Sequence, residues 1–254
     1  MPAPVNTFKA ALARDEQLIG LWLGLANPYT AELAAQSGFD WLLIDGEHAP
    51  NDVPIIMAQL QAMFGYPVAP VVRPPSDDRV LLKQYLDIGV QSLLVPMVES
   101  VEQAREIVRS VQYPPNGVRG VGAGLARASN FNAISDYLTT ADDEICLLLQ
   151  VESMAGIDAL DDILTLDGVD GVFVGPADLA ADMGYMGKPG APEVQAVVTD
   201  VLARINAAGK ASGILSSDPK LLQVYRDMGI NFLAVGSDVG LLGGSMRALR
   251  NKFL

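Results

Sequence analysis

The segment ICLLLQVE (residues 145–152) decides the fold, because its apolar residues run without alternation and end in two polar side chains, Gln150 and Glu152. A strand covered on both faces by helices has this near-continuous apolar character, whereas a strand with one solvated face alternates. The next apolar run, GVFVG (171–175), leads directly into PAD and so is followed by a carboxylate, Asp178. The two segments therefore predict neighbouring buried strands of a parallel sheet.

Six further apolar runs extend this pattern over the chain. With the two above, the predicted strands cover residues 19–24, 41–45, 68–73, 92–97, 145–152, 171–175, 211–215 and 232–236. Amphipathic helical stretches lie between them, and several end in glycine, a common helix stop. Eight such βα units in 254 residues predict a single (β/α)8 TIM barrel over residues 1–254, with an open doubly wound sheet as the alternative. The longest irregular insertion, residues 113–131, follows the fourth strand and its helix.

The composition limits the classes of function. Half of the residues are hydrophobic and no apolar run approaches the roughly 18–20 residues of a membrane span, so we expect no membrane partner. The N-terminus has no export signal, which makes the cytoplasm the expected location. A net charge of −13 without any basic run argues against a nucleic-acid partner. Cys146 is the only cysteine, which excludes an intrachain disulfide, and its apolar neighbours predict a buried thiol.

Polar residues cluster at the ends of four predicted strands. They are Asp45, Glu47 and His48 at the second strand, Arg73 at the third, Gln150 and Glu152 at the fifth, and Asp178 after the sixth. In a parallel barrel the carboxyl ends of all strands open at one face, which carries the active site. We therefore expect these side chains to converge at one mouth.

Glu152 and Asp178 form an oxygen-only pair of candidate ligands on adjacent strands. Carboxylates with no histidine or cysteine partner favour a hard divalent cation, Mg²⁺ or Mn²⁺, with Co²⁺ as a possible substitute. Water or substrate would fill the remaining coordination positions. The alternative is that each carboxylate is exposed to solvent at the end of its strand and binds no metal.

Arg73 and His48 are the other candidates at this mouth. A guanidinium beside a metal suits a substrate carboxylate or a developing oxyanion, although Arg73 could instead form a salt bridge to Asp45 or Glu47. His48 is the only histidine of the chain, and near Asp45 it could act as an oriented general base. The alternative for His48 is a structural, hydrogen-bonded imidazole.

Seven motifs occur in the order of a known family. They are LLIDGEHAPND, PVVRPP, LLVPMVES, YPPNGVRGVG, LARAS, VES and GVFVGPADLAADMG. In this order and over nearly the whole chain they resemble the HpcH/HpaI family of metal-dependent class II pyruvate aldolases, most closely its 4-hydroxy-2-oxoheptane-1,7-dioate aldolase branch. The resemblance implies a barrel whose last helix is exchanged between subunits, in a homohexamer built as a trimer of dimers.

The resemblance also implies roles by position. Glu152 and Asp178 would bind the divalent metal ion (Mg²⁺, Mn²⁺ or Co²⁺), and Arg73 would stabilise an enolate. His48 would be the base, supported by Asp45 and Asp87. The bound 2-oxoacid would contact Arg73 and a set of residues on the fifth and sixth strands, namely Gln150, Gly175, Pro176, Ala177 and Asp178.

The activity implied is reversible cleavage of 4-hydroxy-2-oxoacids to pyruvate and an aldehyde through a metal-bound enolate, with hydroxypyruvate as a possible second donor. Four alternatives remain at this stage. They are a 2-dehydro-3-deoxy sugar-acid aldolase of the same family, a CoA-thioester lyase, a Schiff-base aldolase using Lys188, and a barrel that only binds a 2-oxoacid. A CoA thioester would need basic residues for its phosphates, and a Schiff-base lysine needs an apolar pocket that the surroundings of Lys188 do not suggest.

Overall fold

The computed structural model describes residues 1–254 and contains eight parallel strands that pair in chain order and close into a barrel. The strands are β1 (Leu18–Leu23), β2 (Trp41–Asp45), β3 (Ala69–Arg73), β4 (Ser92–Val95), β5 (Cys146–Val151), β6 (Gly171–Val174), β7 (Ala211–Leu215) and β8 (Phe232–Ser237). Closure by pairing of β1 with β8 confirms the (β/α)8 prediction and excludes the open sheet. Each predicted strand is present, with ends that differ by at most two residues.

Twelve α-helices surround the strands. They are α1 (Thr7–Leu12), α2 (Pro28–Ala35), α3 (Val53–Ala62), α4 (Arg79–Asp87), α5 (Val101–Val111), α6 (Tyr137–Thr140), α7 (Met154–Asp158), α8 (Leu160–Leu164), α9 (Pro176–Asp182), α10 (Pro192–Ala207), α11 (Pro219–Asp227) and α12 (Asp238–Asn251). None of them combines the length and the apolar character that a bilayer crossing requires. Several begin with a side-chain cap, such as Asp52 for α3 and Ser100 for α5, which accept hydrogen bonds from first-turn N–H groups.

The irregular insertion lies at the end of the barrel away from the strand mouths. It follows α5, which runs back from the carboxyl ends of the strands, and it precedes the first residue of β5. The segment contains two 3-10 turns, Ala123–Leu125 and Arg127–Ser129, before the short α6. Its glycine-rich stretch therefore lies far from the strand mouths of its own barrel, where barrels of this kind carry the active site.

A small apolar cluster of 5 buried residues lies around the insertion, and two large clusters fill the rest of the protein. The larger, of 44 buried residues, lies between the strands and the surrounding helices, and the smaller, of 15, fills the interior of the barrel. Side chains on a strand alternate between these two regions, so that Leu42 faces the helices while Trp41 and Leu43 face inward. The smaller cluster includes Cys146, which is fully buried as expected, and this burial raises the pKa of its thiol.

Large aromatic rings in the interior require glycine on adjacent strands. A Cβ added to Gly20 would overlap the indole of Trp41, and one added to Gly213 would overlap the ring of Phe232. Phe8 of α1 packs on both rings, at centroid distances of 5.8 and 6.1 Å, and closes the interior from below. The strand interiors therefore pair large residues with the smallest one, which is how a barrel interior reaches close packing.

We expect Gly213→Ala to destabilise the protein by about 1–3 kcal/mol, because Phe232 has to leave its position in a closely packed interior. Chemical denaturation with fluorescence detection measures the change. Gly122→Ala is the matched control, since a Cβ at Gly122 would meet nothing within 4 Å and the residue has a negative φ. Equal denaturation midpoints for the two variants would contradict the packing argument.

Candidate active site

A cavity of about 470 Å³ opens at the carboxyl ends of the strands. Most of the residues predicted for the site line it, namely His48, Arg73, Gln150, Glu152, Gly175, Pro176, Ala177 and Asp178. Asp45 lies directly behind Arg73 and is 4% exposed. The structure therefore brings together every predicted site residue except Asp87.

Arg73 is held by two carboxylates. Its Nε and Nη2 donate to the two oxygens of Asp45 at 2.9 and 2.7 Å, which is a bidentate pair. Its Nη1 lies 2.8 Å from Oε2 of Glu47, in an ion pair that lacks hydrogen-bond alignment. Trp22 adds a ring face 5.2 Å from the guanidinium carbon and an N–H to Asp45 at 3.3 Å. The salt-bridge alternative for Arg73 is thus realised on both carboxylates, while Arg73 still lines the cavity.

The two carboxylates differ in their pKa. Burial raises the pKa of Asp45, but its hydrogen bonds with Arg73 and the charge of that residue outweigh burial, so the pKa lies below its ordinary value. For Glu47, burial is the largest effect and raises the pKa despite the nearby charges of Arg73 and His48. Asp45 is therefore the fixed counterion of Arg73, and Glu47 is the carboxylate that takes up a proton more readily.

His48 is presented to solvent at the cavity edge. Its side chain is 66% exposed, and its Nε2 lies 3.7 Å from Oε2 of Glu47. Asp45 contacts His48 only through the backbone, because its Oδ1 accepts the N–H groups of Glu47 and His48 at 3.0 and 3.3 Å. Asp45 therefore shapes the turn that carries the imidazole, and Glu47 is the carboxylate nearest the ring. Sequence reasoning treated Glu47 only as an alternative partner of Arg73.

Asp87 lies at the last position of α4, at the opposite end of the barrel from His48. Its Oδ1 accepts a hydrogen bond from Nη2 of Arg119 at 3.0 Å, and the Arg119 side chain is fully buried. No contact joins Asp87 to His48 within one subunit. Lys188 is exposed on the loop between α9 and α10, and only its neighbours Pro189 and Gly190 line the cavity.

Glu152 is fixed at the inner end of the cavity. Its Oε1 accepts the N–H of Met97 at 2.9 Å, and its Oε2 accepts Nε2 of Gln150 at 2.6 Å. Gly175 makes room for it, since a Cβ at this position would overlap the carboxylate. The side-chain carbonyl of Gln150 is buried without a partner. The predicted pairing of Gln150 and Glu152 on one face is therefore a direct hydrogen bond.

The carboxylate pair fits a divalent cation. Burial, reinforced by the charges of Asp178 and Glu47, raises the pKa of Glu152 to about 7, although hydrogen bonds from Gln150 and Met97 oppose the shift. Asp178 stands in the first turn of α9 and lines the same cavity. Carboxylates that repel one another in a buried site are stabilised by a cation. No group of three or more His, Cys, Asp or Glu is arranged to hold a metal ion, so a cation held by this pair would keep open positions for water or substrate.

The remaining lining is apolar on the floor and polar on the side of β7. Trp22, Phe173 and Leu215 form the floor, and Ser216 and Ser217 follow β7. Trp22 and Phe173 belong to the aromatic interior, with ring centroids 5.5 Å apart. The sequence predicted no function for these residues, because nothing in an apolar strand distinguishes a residue of the cavity floor from one of the barrel core.

A closed parallel barrel with an ionisable cluster at the carboxyl ends of its strands defines an enzyme of the (β/α)8-barrel class. A model of the family described as HpcH/HpaI aldolase/citrate lyase matches residues 18–243. The chain therefore belongs to the HpcH/HpaI aldolase/citrate lyase family.

Curated relatives and a solved structure support the same assignment. A hydroxypyruvate/pyruvate aldolase of Deinococcus radiodurans is 59% identical, over 100% of this chain and 94% of its own length. A 4-hydroxy-2-oxo-heptane-1,7-dioate aldolase of Escherichia coli is 54% identical, over 98% and 95% respectively. A crystal structure of a family member from Burkholderia cenocepacia is 40% identical, with a TM-score of 0.94 over 98% of this chain and 100% of that one. These findings confirm the prediction of an aldolase, a carbon–carbon lyase.

We expect binding of Mn²⁺ to compete with a proton on Glu152. The pKa of this carboxyl is raised from 4.5 to about 7, so below pH 7 the cation has to displace the proton. Affinity should fall about tenfold for each pH unit below 7 and level off above it. Without the cation, the folded chain binds this proton more tightly than the unfolded chain, so the contribution of Glu152 to stability decreases as the pH rises from 4.5 to about 7.

Calorimetric titration of the protein with Mn²⁺ between pH 5.5 and 8.5 measures the affinity, and comparison of two buffers counts the protons released. Glu152→Gln is the control and should lose both the affinity and its pH slope. A wild-type affinity that stays constant between pH 5.5 and 7 would show that Glu152 carries no competing proton.

Proposed function

We propose that this chain is a class II aldolase that cleaves 4-hydroxy-2-oxoacids reversibly to a 2-oxoacid, pyruvate or hydroxypyruvate, and an aldehyde. The observation that carries the proposal is the convergence of Glu152, Asp178, Arg73 and His48 in one cavity. Cleavage of a carbon–carbon bond beside a carbonyl requires stabilisation of an enolate and movement of a proton, and these side chains are suited to both tasks.

Glu152 and Asp178 are the proposed ligands of a divalent cation, Mg²⁺, Mn²⁺ or Co²⁺. When bound, the cation acts as a Lewis acid on the carboxylate and carbonyl oxygens of the 2-oxoacid. The first turn of α9 can donate hydrogen bonds to the substrate, because no side chain caps the N–H groups that follow Gly175 and Pro176. The backbone at Ala177 and the unpartnered carbonyl of Gln150 are then available to polar groups of the substrate.

Arg73 is the proposed second positive group for the enolate oxygen. Its bidentate pair with Asp45 fixes the plane of the guanidinium, so the group does not have to reorient when the substrate binds. Asp45 and Glu47 partly offset the positive charge of Arg73, but the guanidinium still lies at the cavity wall. A preorganised donor of this kind stabilises charge that develops only as the bond breaks.

His48 is the proposed proton carrier. In the cleavage direction its imidazole takes the proton of the C4 hydroxyl, the C3–C4 bond breaks, and its electron pair passes to C3 and the C2 oxygen as the enolate. The C4 oxygen becomes the carbonyl of the departing aldehyde, and C3 is then protonated. An exposed histidine next to Glu47 can exchange its proton with solvent between these steps.

Assembly of several subunits is part of the proposal. Helix α12 has no buried residue, although it carries large apolar side chains, including Leu242 at 44%, Leu249 at 59% and Met246 at 60% exposure. We propose that this helix is exchanged with a second copy, in a homohexamer arranged as a trimer of dimers. Because Asp87 lies at the far end of its own barrel, its proposed support of His48 requires a neighbouring subunit.

The proposed function is tested by deuterium exchange at the methyl group of pyruvate in D₂O, followed by NMR. The chelator-treated protein should not catalyse exchange, and addition of Mg²⁺, Mn²⁺ or Co²⁺ should restore it, because exchange reports formation of the enolate without any aldehyde. Exchange that survives complete removal of metal would point to a lysine mechanism. Absence of exchange with every metal would refute the assignment.

We expect His48→Ala to reduce cleavage of a 4-hydroxy-2-oxoacid by about 10²–10⁴-fold, the usual contribution of a general base. Affinity for Mn²⁺ should not change, since the imidazole is not a proposed ligand. Lys188→Ala, which removes an exposed charge beside the cavity residues Pro189 and Gly190, is the control and should keep both properties. Unchanged cleavage by the His48 variant would exclude the imidazole as the proton carrier.

We expect Met246→Glu to give smaller assemblies in analytical ultracentrifugation, because a charge would enter an apolar helix contact between subunits. Asn251→Glu adds the same charge near the end of α12, where no apolar side chain is replaced, and should leave the assembly unchanged. A monomeric wild-type protein would contradict the exchange of α12.

A further inference from the structure

The loop between β4 and α5 contacts the proposed metal site although none of its residues lines the cavity. It consists of residues 96–100, which we call the β4 loop. Met97 donates its N–H to Oε1 of Glu152 at 2.9 Å, and the N–H of Val98 donates to the carbonyl of Gln150 at 3.0 Å. Two successive backbone donors of the β4 loop therefore point at the end of β5.

This arrangement depends on an uncommon backbone conformation at Met97. Its φ is 55°, in the left-handed region that residues with a Cβ seldom adopt, because the side chain then crowds the backbone. The side chain of Met97 is 48% exposed, so packing against the protein core does not hold the residue in place. Such a conformation persists only where the surroundings fix it, and here the contacts of the backbone have to do so.

Gln103, in the first turn of α5, supplies these contacts. Its Nε2 donates to the carbonyl of Met97 and to Oδ2 of Asp77, both at 3.1 Å, and its Oε1 accepts the N–H of Glu99 at 2.9 Å. The reverse orientation of the amide would set its oxygen against two other oxygens, so the three contacts agree on one orientation. No other side chain bonds to the carbonyl of Met97. Gln103 therefore holds the β4 loop on both sides of Val98.

The chain that follows β5 holds the other face of the β4 loop. Ser153 donates its hydroxyl to Oε1 of Glu99 at 2.9 Å. Gly156 of α7 permits a close approach, since a Cβ at this position would overlap the carbonyl oxygen of Val98. The β4 loop is thus enclosed between α5 and α7, and a change in one contact reaches the backbone that faces β5.

We propose that Gln103 is a positioning residue for the divalent cation, because it holds Met97 in the conformation that keeps the N–H of Met97 on the carboxylate of Glu152. The inference rests on the proposed role of Glu152 as a metal ligand. Gln103 itself does not line the cavity and makes no hydrogen bond with Glu152. Loss of a hydrogen bond that orients a metal ligand weakens metal binding by roughly 10- to 100-fold.

The test measures the affinity of the metal-free protein for Mn²⁺ by calorimetry at pH 8.5, where the affinity should not depend on pH. Gln103→Met keeps the length of the side chain and removes its donor and acceptor, so binding should weaken about 10-fold. Gln223→Met is the matched control. It makes the same substitution on the exposed face of α11, where Gln223 donates to Asp227 at 2.7 Å, and it should bind Mn²⁺ like the wild type.

Two variants at position 97 test whether the backbone conformation is the link. Met97→Val keeps Gln103 but introduces a β-branched side chain, which is strongly disfavoured in the left-handed region, and should weaken binding about 10-fold as well. Glycine adopts a positive φ without a steric penalty. The double variant Gln103→Met/Met97→Gly should therefore return to within about 3-fold of the wild-type affinity. A residue that only stabilises the fold would not be rescued in this way.

Urea denaturation of the same variants separates positioning from stability. A lower midpoint for Gln103→Met with unchanged affinity for Mn²⁺ would show a structural role and overturn the inference. Wild-type affinity in Met97→Val, or no recovery in the double variant, would overturn it too. If Gln103→Met does not fold, Gln103→Ala takes its place, since alanine is the best helix former at this partly exposed position.

The wild type and Glu152→Gln separate this inference from the metal site on which it rests. If the wild type binds Mn²⁺ and Glu152→Gln does not, the site is present, and an unchanged affinity in Gln103→Met refutes only the role of Gln103. If the wild type does not bind Mn²⁺, or Glu152→Gln binds it equally well, the proposed metal site and this inference both fail.

Discussion

Every feature of the site depends on the alternation of inward- and outward-facing side chains along the barrel strands. On β2, Trp41 and Leu43 fill the interior and Asp45 takes the next inward position; on β3, Val71 is followed in the same way by Arg73. Asp45 and Arg73 are paired in register, so the last inward layer places an acid beside a base on adjacent strands. A shift of one residue on either strand would turn the charge into the helix layer and an apolar residue into the mouth.

The buried charges of this last layer differ in how well they are compensated. Arg73 and Asp45 satisfy each other, which holds the pKa of Asp45 low despite burial. Glu152 has no cationic partner, and burial with the nearby charges of Asp178 and Glu47 holds its pKa near 7. A buried carboxylate without a counterion is destabilising, and such residues cluster where function requires them. The cation proposed for Glu152 and Asp178 would supply the positive charge that no side chain provides there.

The barrel and the convergence of most candidate site residues in one cavity were predictable because both follow from local signals. Apolar runs located the strands, and the rule that parallel strands open at one face gathered Arg73, Glu152 and His48 without any long-range contact. The contact between Glu47 and the imidazole was not predictable, since it depends on side-chain torsions in the turn after β2. The distance of Asp87 from His48 of the same subunit was not predictable from the motifs, because a helix reverses the chain direction and a residue at its end lies far from one at a strand end.

The two sides of the cavity differ in how many hydrogen bonds and ion pairs join their side chains. On the side of β2, β3 and β5, each polar side chain hydrogen-bonds or pairs with another one, so replacing Asp45 or Gln150 also disturbs Arg73 or Glu152. On the side of β7, the hydroxyls of Ser216 and Ser217 bond to no other side chain, and Tyr225 of the following helix bonds to Gln195 of α10. A substitution at Ser217 would therefore leave the charge pairs around Arg73 and the hydrogen bonds of Glu152 in place. One side of the cavity can thus vary in sequence while the charged cluster on the other side, which carries the proposed chemistry, stays unchanged.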